Sequence, residues 1–476
     1  MNSNSGSVTS LDLVRIWDQT CLKKHKCKIE QSVLPTRVID VGPRDGSQVP
    51  FLHVTKGEMS HWISLSHCWG KRPIAKTELA NFESMCRGIT LQRLPKTFQD
   101  SVILTRQLGI RYLWIDSICI IQDSPADWET EAAKMADIYK KAYLTVVAAS
   151  AKDSGWTPQY GQRISTIVDT RAWCLQEEAL SPRLLKYNRT HMSWHCSDWA
   201  DIHEDGRQKY HYDNWYRIPA TLELADDGKR RHIWHMILTN YTKRHMTFGK
   251  DKLPALAGVA TEFHQRTGDE YLAGMWRSQL PLGLMWRTRL YDHGLYDADE
   301  VPQHERSAKY RAPSWSWACV DGPMDFSICT SDLPYDSETS ITILNFSITT
   351  KSTGPFGEVL AGSLSVRGKL KVAECGNDII PPRGKWGEDA YYTKEIIDPS
   401  SSLVDSRAVG QCLFDLAAEK PASQSRLWCL QISALRGLVL MPNGEGSSEF
   451  RRVGLFRLTD HGAWFEGCSM LDITIL

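Results

Sequence analysis

The chain has 476 residues, 42% of them hydrophobic and 24% charged, with 56 Lys+Arg set against 56 Asp+Glu. That length exceeds one ordinary hydrophobic core and implies two or three domains. Balanced charge argues against nucleic acid or a membrane surface as the main partner, because both select a basic excess.

The amino terminus, MNSNSGSVTSLDL, has neither a basic flank nor an apolar core, so no signal peptide is read there. No run approaches the ~20 apolar residues that span a bilayer. Thirteen cysteines, an odd number without a CxxC pair, fit a reducing compartment better than a disulfide framework. A soluble cytoplasmic protein is expected.

Residues 1–55 read as an N-terminal extension with one short helix and a Pro/Gly-rich passage at Val41–Gly46. Two basic clusters, Lys23–Lys28 and Lys229–Arg231, read as solvated faces. Residues 56–196 read as an α/β unit. Trp62-Ile-Ser-Leu-Ser-His-Cys-Trp-Gly70 predicts a buried strand ending at a small-polar and glycine corner. Tyr112–Asp116 and Leu144–Ala148 predict further strands, each preceded by a helical pattern. Such alternation predicts a parallel sheet, with ligands held beyond the carboxyl ends of its strands. The first helix should open at Pro95 and stop before Gly109. The second should be capped by Ser124, with Pro125 in its first turn and Trp128, Ala132, Met135 and Tyr139 as its buried stripe.

Residues 197–330 read as largely helical, clearest over Trp234–Tyr241 and Leu253–Phe263. Residues 331–476 change character. Ile341–Ile348, Gly362–Val372, Leu438–Leu440 and Val453–Leu458 predict an antiparallel β module. His195, Cys196, Asp198, His203, Glu204 and Asp205 offer ligand atoms, but their spacing fits no standard zinc pattern, so no metal is expected. There is no GxxxxGK[ST] loop and no GxGxxG after a strand.

Four blocks resemble the fungal heterokaryon-incompatibility (HET) domain: ISLSHCWG (63–70), LPKTFQDSVILTRQLGIRYLWIDSICIIQD (94–123), DWETEAAKMADIYKKAYLTVVAAS (127–150) and TRAWCLQEEALSPRLL (170–185). YTKRHMTFGKDKLPALAGVA (241–260), YLAGMWRSQLPLGLMWR (271–287), APSWSWA (312–318) and RRVGLFRL (451–458) resemble the tail common in such proteins. The resemblance implies a role in non-self recognition and programmed cell death. It also implies a flavodoxin-like α/β fold related to Toll/interleukin-1 receptor (TIR) domains, some of which hydrolyse NAD. Trp173-Cys-Leu-Gln-Glu177 is similar to the Trp-Cys-Leu-x-Glu of plant TIR domains, which places their catalytic glutamate at Glu177. The segment between Ser150 and Thr170 departs from TIR spacing.

NAD is then the implied substrate, with no tightly bound cofactor. Cleaving nicotinamide from NAD passes through an oxocarbenium-like state that one ionised carboxylate can stabilise. Glu177 is the candidate for it. Ser66, Trp69, Gly70 and Asp116 at the strand corners, with Arg171 and Trp173, are candidates to hold the dinucleotide. Each has a structural reading as well: Glu177 as a helix-end ion pair, Asp116 as an acceptor of loop N–H groups, and Ser66 to Gly70 as a packed corner. The alternative function is a non-enzymatic module that associates with itself or with an incompatibility partner.

Overall fold

The computed structural model describes residues 7–25, 27, 30–69, 74–149, 168–188, 191–196, 199–203, 208–209, 226–288, 304–330, 339–351, 354–379, 393–399, 408–444, 446–459 and 463–476. Two compact units divide the chain, Met1–Leu224 and Ala225–Leu476.

The first unit opens with helix α1 (Val8–Lys24), whose Ser7 side chain caps Ser10 N. Strands β1 (Arg37–Asp40) and β2 (Phe51–Val54) follow, then β3 (Trp62–Ser66). Helix α2 (Lys96–Gln107) leads to β4 (Tyr112–Ile115), and α3 (Pro125–Lys141) leads to β5 (Leu144–Val147). Helix α4 (Ala172–Leu180) precedes β6 (Arg183–Tyr187), β7 (Met192–Cys196), β8 (Trp199–His203) and β9 (Gln208–Lys209).

One nine-stranded sheet runs β9-β8-β7-β6-β5-β3-β4-β1-β2. Its central strands β4, β3, β5 and β6 are parallel. The flanks are antiparallel, with β1 and β2 on one side and β7 to β9 on the other. The expected parallel sheet is therefore mixed. Short connections such as Asn188–His191 leave no length for a crossover, so those strands must reverse. Residues 37–54, read from sequence as part of an extension, supply the last two strands on one side of the sheet, with β2 at its edge.

All five residues of β3 are buried, as a strand covered on both faces requires. Gly109 closes α2 at φ +73°, a left-handed turn that costs glycine little. Ser124 caps α3, with Pro125 in the first turn. The buried stripe of α3 is Glu131, Met135, Ile138 and Tyr139, while Trp128 and Ala132 are only half-buried. Glu131 tolerates that position because its carboxylate accepts from Thr36 Oγ1 at 2.8 Å and from Lys134 Nζ at 3.0 Å. Chain order places β4 on one side of β3 and β5 on the other. That reversal makes the carboxyl end of β3 a topological switch point, the place where open α/β sheets hold ligands.

In the second unit, helices α5 (Asp227–Tyr241) and α6 (Ala257–Thr267) surround an aromatic core. Trp276 lies 4.7 Å from Phe263 and 5.1 Å from Trp234, ring centre to ring centre. The remainder of residues 242–330 that is described consists of single-turn helices, turns and two-residue strand pairs, less helical than the sequence suggests. The antiparallel module expected after residue 331 is present. Its strands are β10 (Thr342–Thr350), β11 (Val359–Asp378), β12 (Thr393–Ile397), β13 (Ala408–Phe414), β14 (Arg426–Gln431), β15 (Arg436–Pro442), β16 (Glu449–Leu458) and β17 (Met470–Ile475). The order β11-β12-β13-β16-β15-β14 returns to β11, so six strands close on themselves and leave few open edges. Their interior holds Cys375, Cys412, Cys429, Phe414 and Phe456, with Phe465 packed alongside.

Candidate functional site

Ser66 ends β3, and Asp116 follows β4 as the first residue of a one-turn helix, Asp116–Cys119. Both therefore stand at the carboxyl end of the parallel strands. Helix α4 lies across this end, and Glu177 falls in its interior. The residues that act on the Glu177 carboxyl are Asp116, Ser66, Arg171 and Cys174. Cys174 is one helical turn before Glu177 and shares its face.

Glu177 is 5% exposed. Burial, and then the neighbouring Asp116 charge, push its carboxyl up to about 7; Ser66, Arg171 and Cys174 hold it from rising further. Its neighbour Glu178 points elsewhere, with Oε2 2.6 Å from Lys186 Nζ.

Asp116 is held from several sides. Oδ2 accepts from Trp69 Nε1 at 2.9 Å, and Oδ1 accepts from Ser117 N at 2.7 Å. Its backbone carbonyl accepts from Gln122 Nε2 at 3.1 Å. These bonds match the loop-orienting reading of Asp116. His67 Nδ1 is 3.8 Å from Asp116 Oδ1, beyond hydrogen-bond length. The His67 ring is buried edge-on against Phe98 with centres 4.9 Å apart, and burial draws its pKa down. Arg171 Nη1 donates to the His67 carbonyl at 3.0 Å, tying the start of α4 to the β3 corner.

Buried polar atoms that complete no hydrogen bond with the described residues collect at this corner: Ser66 Oγ, His67 Nδ1 and Nε2, Ser117 Oγ and Glu177 Oε2. Such atoms are rare in folded interiors, and a cluster of them marks strain or a functional site.

Of the candidates named from sequence, Ser66, Asp116, Arg171 and Glu177 come together. Trp69 joins them through its indole N–H. Trp173 packs edge-on against Trp128 of α3, with ring centres 6.3 Å apart. Gly70 lies outside the described residues. Tyr139, a core position by sequence, turns its hydroxyl to the Leu65 carbonyl at 3.3 Å and faces Glu177. A tyrosine in a buried stripe carries an O–H that must find a partner, and that was the available signal. Cys68 is half-exposed beside Cys174 and Arg171, which draw its thiol down. In the other ligand-capable cluster, His195 Nε2 pairs with Ser193 Oγ at 3.0 Å. Asp198, Glu204 and Asp205 lie outside the described residues, as does the side chain of His203.

These features define a mixed α/β domain whose chemistry-bearing residues gather at the tips of its parallel strands. Residues 62–171 match the family described as Heterokaryon incompatibility protein (HET), so the chain carries a HET domain over that span. The match includes Ser66, Trp69, Gly70, Asp116 and Arg171 and stops before Trp173 and Glu177. No curated protein and no solved structure matches the chain. No helix among the described residues is long and apolar enough to cross a membrane.

Proposed function

We propose that this protein acts in heterokaryon incompatibility and brings about cell death by cleaving the nicotinamide–ribose bond of NAD, with Glu177 as the catalytic carboxylate. The observation that carries the reading is the convergence of Glu177, Asp116 and the Ser66 hydroxyl at one strand-end corner. As the bond breaks, its electron pair passes to the pyridinium nitrogen and nicotinamide leaves neutral. The ribosyl cation is stabilised by ionised Glu177 until water adds at the same carbon and its proton passes to the carboxylate or to solvent. Arg171, at the start of α4, is the cation assigned to a phosphate.

The test is expression in a filamentous fungus, with NAD content and viability followed together. Loss of both with the wild-type chain, and neither with Glu177→Gln, supports the reading. Cell death with an undiminished NAD pool removes it.

A second reading is a self-associating module without catalysis, and the burial of Glu177 favours it. In that case Glu177→Gln kills as effectively as the wild type.

A further inference from the structure

Away from the strand tips, the last turn of α1 and the end of β7 bring four soft ligands together. Cys21, His25, Cys27 and Cys196 each place a ligand atom within 4.8 Å of the others. The three cysteines are buried and His25 is half-buried. His25 Nδ1 faces Cys196 Sγ at 3.2 Å, although the two residues are 171 positions apart in the chain.

We propose that Cys21, His25, Cys27 and Cys196 bind one zinc ion as a closed structural site. Four ligands about 2.0–2.3 Å from a tetrahedral zinc lie about 3.5–3.8 Å from one another, so the observed cluster needs only a small contraction. Thiolates with one imidazole select zinc over the hard cations, which prefer oxygen. A disulfide would join two of the thiols and leave the third beside an imidazole; none of the thirteen cysteines is in a disulfide.

The placement also suits a cation. Cys21 lies in the last turn of α1 and His25 is its C-cap, where the helix presents its negative end. Three thiolates around a divalent ion leave one net negative charge, and Lys23 and Lys24 sit exposed on the same turn. Four protein ligands leave no open position, so the ion is structural rather than catalytic. It fastens α1 to β7, beside the ion pair at 3.0 Å between Asp18 of α1 and Arg183 of the adjacent strand β6.

This inference is independent of the proposed chemistry at Glu177. The test is metal analysis of the full chain purified without chelators. About one zinc per chain is expected, with cobalt exchange giving the intense visible bands of a tetrahedral thiolate site. Cys196→Ser should lose the metal, and Cys86→Ser, at a half-exposed cysteine outside the cluster, should keep it. Should Cys196→Ser fail to fold, the cobalt spectrum of the wild type and the thiols released by a chelator decide the matter. A folded wild-type chain that holds no zinc and takes up neither zinc nor cobalt would overturn the proposal, as would full zinc retention by a folded Cys196→Ser.

Discussion

The Trp69 indole N–H donates to Asp116 Oδ2 at 2.9 Å, so the corner after β3 and the corner after β4 are joined by one charge-assisted bond. The bond aims the Asp116 charge, and that charge is the second-largest influence raising Glu177. Trp69→Phe keeps the ring and removes the donor. Because Asp116 retains Ser117 N and partial access to solvent, the loss should be about 1–2 kcal/mol in urea denaturation.

Asp116→Asn removes the negative charge without changing the shape of the side chain. The Glu177 pKa should fall from about 7 toward the ordinary carboxyl range, since its largest repulsive neighbour is gone. Titration of a carbon-labelled Glu177 carboxyl by NMR checks this.

The raised pKa of Glu177 also sets a pH dependence of stability. Below the unfolded value of 4.5 the acid is neutral in both states, and the stability is fully present. As pH rises from there to about 7, the unfolded chain ionises first, and stability falls by about 3 kcal/mol before levelling off. Glu177→Gln should flatten that fall, so denaturation at about pH 5 and about pH 8 should differ less in the variant than in the wild type.

In the second unit, Arg452 is fully buried, pairs with Asp415 at 2.9 Å and lies over the Trp286 ring at 3.4 Å. It also donates to the Leu284 carbonyl at 2.5 Å and to that of Trp286. Asp415→Ala leaves the guanidinium buried without its counter-ion and should cost about 3–5 kcal/mol. Replacing both partners with apolar residues should cost less than the single change, as a double-mutant denaturation series would show.

Gly274 has φ +98°, and a Cβ there would meet Trp317 Nε1 at 2.7 Å. The Gly274 carbonyl accepts from both Trp317 and Trp234. Gly274→Ala therefore adds about 1–3 kcal/mol of backbone strain, with an overpacking cost of about 1–3 kcal/mol. A drop in the melting temperature of this unit is the readout.

Legibility in the sequence followed the strength of local signals. β3, β4 and β5 are mostly apolar, broken only by Ser64, Ser66 and Thr145, and periodic helices separate them, so they are legible. β1 and β2 are four residues each, set around the Pro/Gly-rich passage, and nothing local assigned them to the sheet. Asp116 could be read as a strand-end acid. The placement of Glu177 came from resemblance alone, because an acid inside a short apolar helix looks the same whichever way it points. The cluster of Cys21, His25, Cys27 and Cys196 could not be read at all, since β7 supplies its fourth ligand from far along the chain.

Nicotinamide release from NAD by the purified full chain, compared between wild type and Glu177→Gln, bears most directly on the role given to this carboxyl. The account expects release by the wild type that rises with pH through about 7, as Glu177 ionises, and falls by at least about a hundredfold in the variant. Equal release by a folded Glu177→Gln, or none by a folded wild type across that range, would contradict it.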